Sequence, residues 1–442
     1  MMLQDVHGHE LTGATEEAAA DFERGTHELR CFIGDPVASA DRAIAAAPDF
    51  VMAHALKGYL YGLSTEAGAQ PVVEACHAAA SRVAATPRER GHVAALGHLA
   101  QGRWHEAGKV LADLADAYPR DALALQAGHQ VDFFTGNAPM LRARIEKALP
   151  HWDETLPGYH ALLGMHAFGL EENADYAAAE SAGRRAVDLE PRDGWAQHAV
   201  AHVMEMQCRQ QDGIAWMREN TEKWTKDSFL QVHNWWHLAL FHYELGETDA
   251  IFELFDGPIY GSGSTIALNM VDASALLWRL HLGGVDVGDR WQTLADNWLP
   301  FARSTNYAFN DMHAMMAFVA AGRDEAAAAL LETQTAVMAA GGDNAAFTRD
   351  VGHPATQAIR AFGRGDYAEC VRLILPVRAV AHTFGGSHAQ RDVLELTLLE
   401  AALRGGDMAL GHRLALERAA ARPSSPLSRL FVSRGNSAPT PS

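Results

Sequence analysis

Four cysteines in 442 residues, at positions 31, 76, 208 and 370, form no C-x-x-C pair and no spaced framework. A disulfide scaffold or zinc ribbon is therefore not expected, and a reducing, cytoplasmic compartment fits best. Basic residues are scarce as well: 36 Lys and Arg stand against 55 Asp and Glu, a formal charge of −19. That deficit argues against nucleic acid and anionic membrane surfaces as partners, since both require a basic face. No apolar run approaches the roughly 20 residues of a membrane span. The opening MMLQDVHGHELTG has no basic stretch followed by an apolar one, so no secretory signal is expected. Also missing are a P-loop, a dinucleotide glycine fingerprint, a G-x-S-x-G elbow and the H-E-x-x-H of zincins. No period-two pattern of strand length occurs.

What is present is helical. Apolar residues make up 48% of the chain, ample for a large core. Ala-rich segments of helical period alternate with Gly, Pro or Asp breaks. In DYAAAESAGRRAVDLEP, residues 175–191, the Ala and Leu positions repeat at helical spacing and Pro191 follows where a helix should stop. ADRAIAAAPDF and EAGKVLADLADAYPRD read the same way, each ending one helix and starting the next. Gly136, Gly246, Gly322 and Gly365 punctuate the other ends, before the second helix of a pair. This is the helix–turn–helix rhythm of tetratricopeptide repeats, whose unit is about 34 residues. The expected fold is all-α, an α-solenoid of about ten to eleven such repeats forming a curved superhelix. Residues 1–20 read as an N-terminal extension and 21–422 as one solenoid. The Ser/Pro-rich 423–442 reads as a tail, docking through Leu427, Leu430 and Phe431.

Histidine follows the repeat. His54, His92, His129, His166, His202 and His237 recur at intervals of 35 to 38 residues in the first helix of successive pairs. Asp272, His313, His353 and His388 continue the ladder. First helices line the inner wall of such stacks, so equivalent positions face one groove. The alternative is structural: an imidazole at a helix seam, bonded to a carbonyl of the neighbouring repeat.

Residues 195–245 concentrate the chemistry. WAQHAVAHVMEM places His198, His202 and Glu205 at i, i+4 and i+7, within about 60° of one helical face. One repeat later, HNWWHLAL places His233 and His237 at i, i+4, each 35 residues after its counterpart. Two His at this spacing can hold one divalent ion (zinc, iron or manganese) with a carboxylate completing the shell. The same groups also suit acid–base chemistry, because imidazole titrates near neutrality. Asp311 and His313 are expected opposite this wall. Asp272, Arg279 and Asn310 follow on the next inner helices, and Trp195 and Trp235 flank the His faces. Eight of the ten Trp lie between 195 and 298, most of them read as core. GGSHAQRDV reads as a glycine turn with Ser387 as helix cap, placing Arg391 where it could clamp an anionic ligand.

Two functions compete. One is a small-molecule site, hydrolytic or proton-transferring, built on His198, His202, Glu205, His233, His237, Asp311 and His313. Trp195, Trp235, Asp272, Arg279, Asn310 and Arg391 would hold its ligand. The other is a scaffold gripping a partner peptide in the groove. Peptide grooves use Lys, Arg and Asn clamps, whereas Lys is sparse between 190 and 320. A small-molecule ligand is therefore preferred over a peptide, and a homo-oligomer stays open.

On PDFVMAHAL, PRERGHVAA, DALALQAGH, WAQHAVAHVMEM, HNWWHLAL, FNDMHAMMA, RDVGHP and GGSHAQRDV, in unbroken order from about residue 15 to 430, the chain resembles the tetratricopeptide-repeat-protein-38 family. The resemblance implies a full-length helical repeat. It implies no established reaction, so no catalytic role is inherited from it.

Overall fold

The computed structural model describes residues 2–66 and 68–436. Among them lie 25 α-helices. Extended pairing is confined to two isolated bridges, Gln4 with Glu10 and Ile33 with Ser228. Successive long helices form eleven antiparallel pairs from Glu16–Cys31 with Pro36–Ala46 to His388–Arg404 with Met408–Ala421, an α-solenoid of tetratricopeptide-like repeats. Every member of the histidine ladder lies on the first helix of its pair.

The turn inside each pair has a common construction. Gly136, Gly246, Gly322 and Gly365 all have positive φ, between 65° and 74°. The amide after each reaches back five residues, as in Asn137 N to Asp132 O at 2.8 Å and Arg323 N to Phe318 O at 2.8 Å. This closes the first helix with its last carbonyls satisfied, and glycine adopts the left-handed geometry without Cβ strain. Ala174 (φ 63°) and Cys208 (φ 56°) occupy the same turn in two repeats.

Where the sequence shows no linker, the contacts divide the chain into two units. The first comprises 1–200 and 220–231, the second 201–219 and 232–442, so helices Gly194–Met206 and Gln231–Leu245 each contribute to both.

In the first unit the opening helix returns to the fifth pair, where Arg30 donates to the Pro157 carbonyl at 3.2 Å. Its inner space is filled by rings: Trp195 stacks on Phe32 at 5.4 Å and meets Phe168 at 4.9 Å and His129 at 5.8 Å. The first dozen residues pack on inner-helix N-termini. Thr12 Oγ1 donates to Glu89 at 2.5 Å, and Arg88 donates to the Glu10 carbonyl at 3.3 Å.

The second unit also closes on itself. Trp278 Nε1 donates to Thr397 Oγ1 at 3.0 Å, and Arg279 donates to the Ala389 carbonyl at 2.7 Å. Beneath them Asp392 receives both arms of Arg418, at 2.5 and 2.9 Å. The residues read as a tail form helix Pro426–Asn436, with Ser425 bonded to Glu244 at 2.6 Å. Phe431 docks as expected; Leu430 instead faces solvent, 54% exposed. Residues 437–442 of that expected tail lie outside the described residues.

Candidate functional site

The second unit brings His202, Glu205, His233, His237 and Asp272 together. Helix Gly194–Met206 supplies the first two and helix Gln231–Leu245 the two later imidazoles. The His202 and His237 rings lie 4.4 Å apart, and those of His233 and His237 4.9 Å. One ligand nitrogen from each of the three lies within 4.8 Å of the others.

Two of these rings are held by carboxylates. His237 Nδ1 meets Glu205 Oε2 at 3.2 Å, and His233 Nδ1 meets Asp272 at 2.9 and 3.0 Å. With Nδ1–H donated to a carboxylate, Nε2 is the basic nitrogen, which is how metal-binding histidines are oriented and made more basic. His202 and His237 are fully buried, while the His233 side chain keeps 16% exposure. Burial, aided by His233 and Arg279, holds the His237 pKa well below its usual value. The neutral, ligand-competent imidazole is therefore the resting form. Burial raises the Glu205 pKa, with Arg422 and Arg279 opposing.

Trp236 is the aromatic wall. It stacks on His233 at 5.3 Å and 14° and meets His237 edge-on at 5.0 Å. The sequence reading named Trp235, which is only half-buried.

The other candidates are placed as follows. His198 belongs to the first unit, stacked on Phe168 at 5.4 Å and against Trp195 at 4.8 Å. Trp195 is at the centre of that aromatic cluster. Asp272 orients His233 within the protein. Arg279 donates to the Ala275 and Ala389 carbonyls and lies 5.4 Å over Trp236, so its expected ligand-holding donors serve the fold. Asp311 turns to the second helix of its pair, accepting from Gln334 at 3.1 Å, and burial raises its pKa to about 7. His313 bonds the Phe309 carbonyl at 2.8 Å, and burial lowers its pKa to about 4. Asn310 is buried beside them.

Arg391 lines a cavity of about 250 Å³ with Met206, His382, His388, Asp392 and Arg422. Met206 follows Glu205 directly in the chain. Asp392 is paired with Arg418. Ser387 caps its helix by accepting from Gln390 N at 3.3 Å, as the sequence suggested.

Two ladder histidines of the first unit have structural hydrogen-bond partners. His92 bridges Asp121 and Tyr59, each at 2.9 Å, and His54 reaches the Pro48 carbonyl at 2.8 Å.

No family model matches the chain. Among solved structures it aligns with yeast Tom70 at 12% identity and a TM-score of 0.34, over 95% of this chain and 87% of that one. It also aligns with a monomeric mutant of IFIT1 solved with Gppp-AAAA, at 14% identity and a TM-score of 0.39, over 96% and 95% of the two chains. No helix among the described residues is long and apolar enough to cross a membrane.

Proposed function

We propose that the protein binds a divalent transition metal, zinc, iron or manganese, through His202, His233 and His237. A metal held there would supply the Lewis-acid chemistry for hydrolysis of a small molecule. The observation that carries this reading is the convergence of three imidazoles, two of them held at Nδ1 by Glu205 and Asp272. Imidazole donors suit zinc and other divalent transition metals, which would supply Lewis-acid activation of water there. His233 is the solvent-facing member of the three, and a cavity bearing Arg391 and His388 lies in the same unit. We further read the chain as a relative of the tetratricopeptide-repeat-protein-38 family, on the HAVAHVMEM and HNWWHLAL segments that carry these ligands.

Zinc titration followed by calorimetry tests the site. His202→Ala should take up one equivalent of tightly bound zinc fewer than wild type, and both should show the same helical circular dichroism. Equal zinc uptake by the two proteins would sink the proposal. A partner-binding scaffold is the second reading, supported by the repeat fold itself. In the second unit the closure by Arg279 and Trp278 fills the inner face, so a partner there would use the outer helices.

A further inference from the structure

A second cluster of metal-binding side chains lies in the first unit, where its opening helix meets the fifth pair. His27 and Cys31 are one turn apart on helix Glu16–Cys31, with Cys31 Sγ 3.9 Å from His27 Nδ1. His160, the second residue of helix Tyr159–Glu171, faces them. One ligand atom from each residue lies within 4.8 Å of the other two. None of the three belongs to the imidazole centre of the second unit.

The His160 ring is already oriented for coordination. Its Nδ1 meets Asp193 Oδ2 at 2.8 Å, and the other Asp193 oxygen accepts from Ala196 N at 2.9 Å, capping the next helix. Asp193 is completely buried, so its position is fixed by the fold. With Nδ1 engaged, His160 offers Nε2 as the basic nitrogen, the carboxylate–histidine pairing that recurs behind metal ligands. Cys31 is buried, the His160 side chain is 11% exposed, and His27 is on the surface, which gives an ion a route from solvent. Burial, with Asp193 and Glu190, pushes the Cys31 thiol well above its usual pKa and Arg30 and Arg192 oppose, so an ion entering here has to displace the thiol proton.

We infer that His27, Cys31 and His160 form a zinc site that ties the first helix of the unit to its fifth pair. A thiolate with two imidazoles is the donor set zinc prefers, and water completes the tetrahedron. Zinc–ligand bonds of about 2.0–2.3 Å put tetrahedral ligand atoms about 3.5 Å apart. The observed separations therefore close by side-chain rotation of roughly 1 Å. Binding forms a zinc–sulfur bond and releases the Cys31 thiol proton to solvent. The site goes beyond the proposed function and does not depend on it, because it shares no ligand with the second unit.

Cobalt(II) titration of the full-length protein tests the site, since cobalt bound to thiolate gives a near-ultraviolet charge-transfer band that imidazole ligands do not. The expected result is a band saturating at one equivalent, displaced by zinc, absent in Cys31→Ser and retained in Cys76→Ser and His237→Ala. His27→Ala, a surface change that leaves the core alone, should weaken cobalt binding at this band at least tenfold. No band, or a band that survives Cys31→Ser, overturns the site. A band lost in Cys31→Ser but unchanged in affinity by His27→Ala overturns the ligand set.

Discussion

At the scale of single residues, the two carboxylates behind the imidazoles carry the most information. Glu205 and Asp272 do not need to touch a ligand to matter. Each takes the Nδ1 proton of a histidine and fixes which nitrogen is presented. Asp272→Asn should weaken zinc binding by about 10- to 100-fold in calorimetric titration without changing the helical content. Unchanged affinity would mean that His233 is not a ligand. Asp311 makes a separate statement about pH. Burial lifts its pKa to about 7, with the Gln334 bond opposing, so the folded chain keeps a proton that the unfolded chain has lost. Stability from this group is present below about pH 4 and is lost as pH rises through 7. Asp311→Asn should therefore raise the melting temperature at pH 8, by about 2–4 °C for each kcal/mol recovered, and leave it unchanged at pH 4. Equal shifts at both pH values in scanning calorimetry would contradict that assignment.

At the scale of elements, the turns were the most readable feature. Gly136, Gly246, Gly322 and Gly365 mark the middle of a pair because the chain needs a left-handed residue there and glycine alone adopts it without strain. Ala174 and Cys208 hide the same turn, having side chains where the geometry favours none. Ala174→Gly should stabilise the fold by about 1 kcal/mol, read as a higher denaturation midpoint at unchanged slope. A loss of stability would show that the turn is not strained. The candidate site was legible to the same degree. Helical period put His202 with Glu205 and His233 with His237, and the 35-residue repeat put the two helices side by side. Which face each neighbour would take was not legible, because it depends on rotation about the helix axis set by packing. Trp236 therefore stacks on His233, Asp272 orients a histidine, and Asp311 turns to Gln334.

At the scale of the whole molecule, periodicity announced a continuous solenoid but not that its inner faces close. Closure depends on residues far apart in sequence, such as Trp278 with Thr397 and Arg30 with Pro157, which no local pattern couples. The two units fill their centres differently. The first uses rings around Trp195. The second uses ion pairs around Asp392, where Arg418 and Arg422 both approach. Asp392 keeps 14% side-chain exposure, so removing it leaves Arg418 and Arg422 partly uncompensated, and Asp392→Ala should cost about 1–3 kcal/mol in chemical denaturation. A cost under 1 kcal/mol would mean that solvent already screens the pair.

The central claim is that the second unit holds a metal through His202, His233 and His237. Elemental analysis of tag-free protein, loaded with zinc and dialysed, tests it most directly when run on wild type, Cys31→Ser and the Cys31→Ser/His237→Ala double variant together. The account predicts one equivalent retained in Cys31→Ser that is missing from His237→Ala when the Cys31 change is also present. Metal-free Cys31→Ser protein, with its helical signal intact, would contradict it.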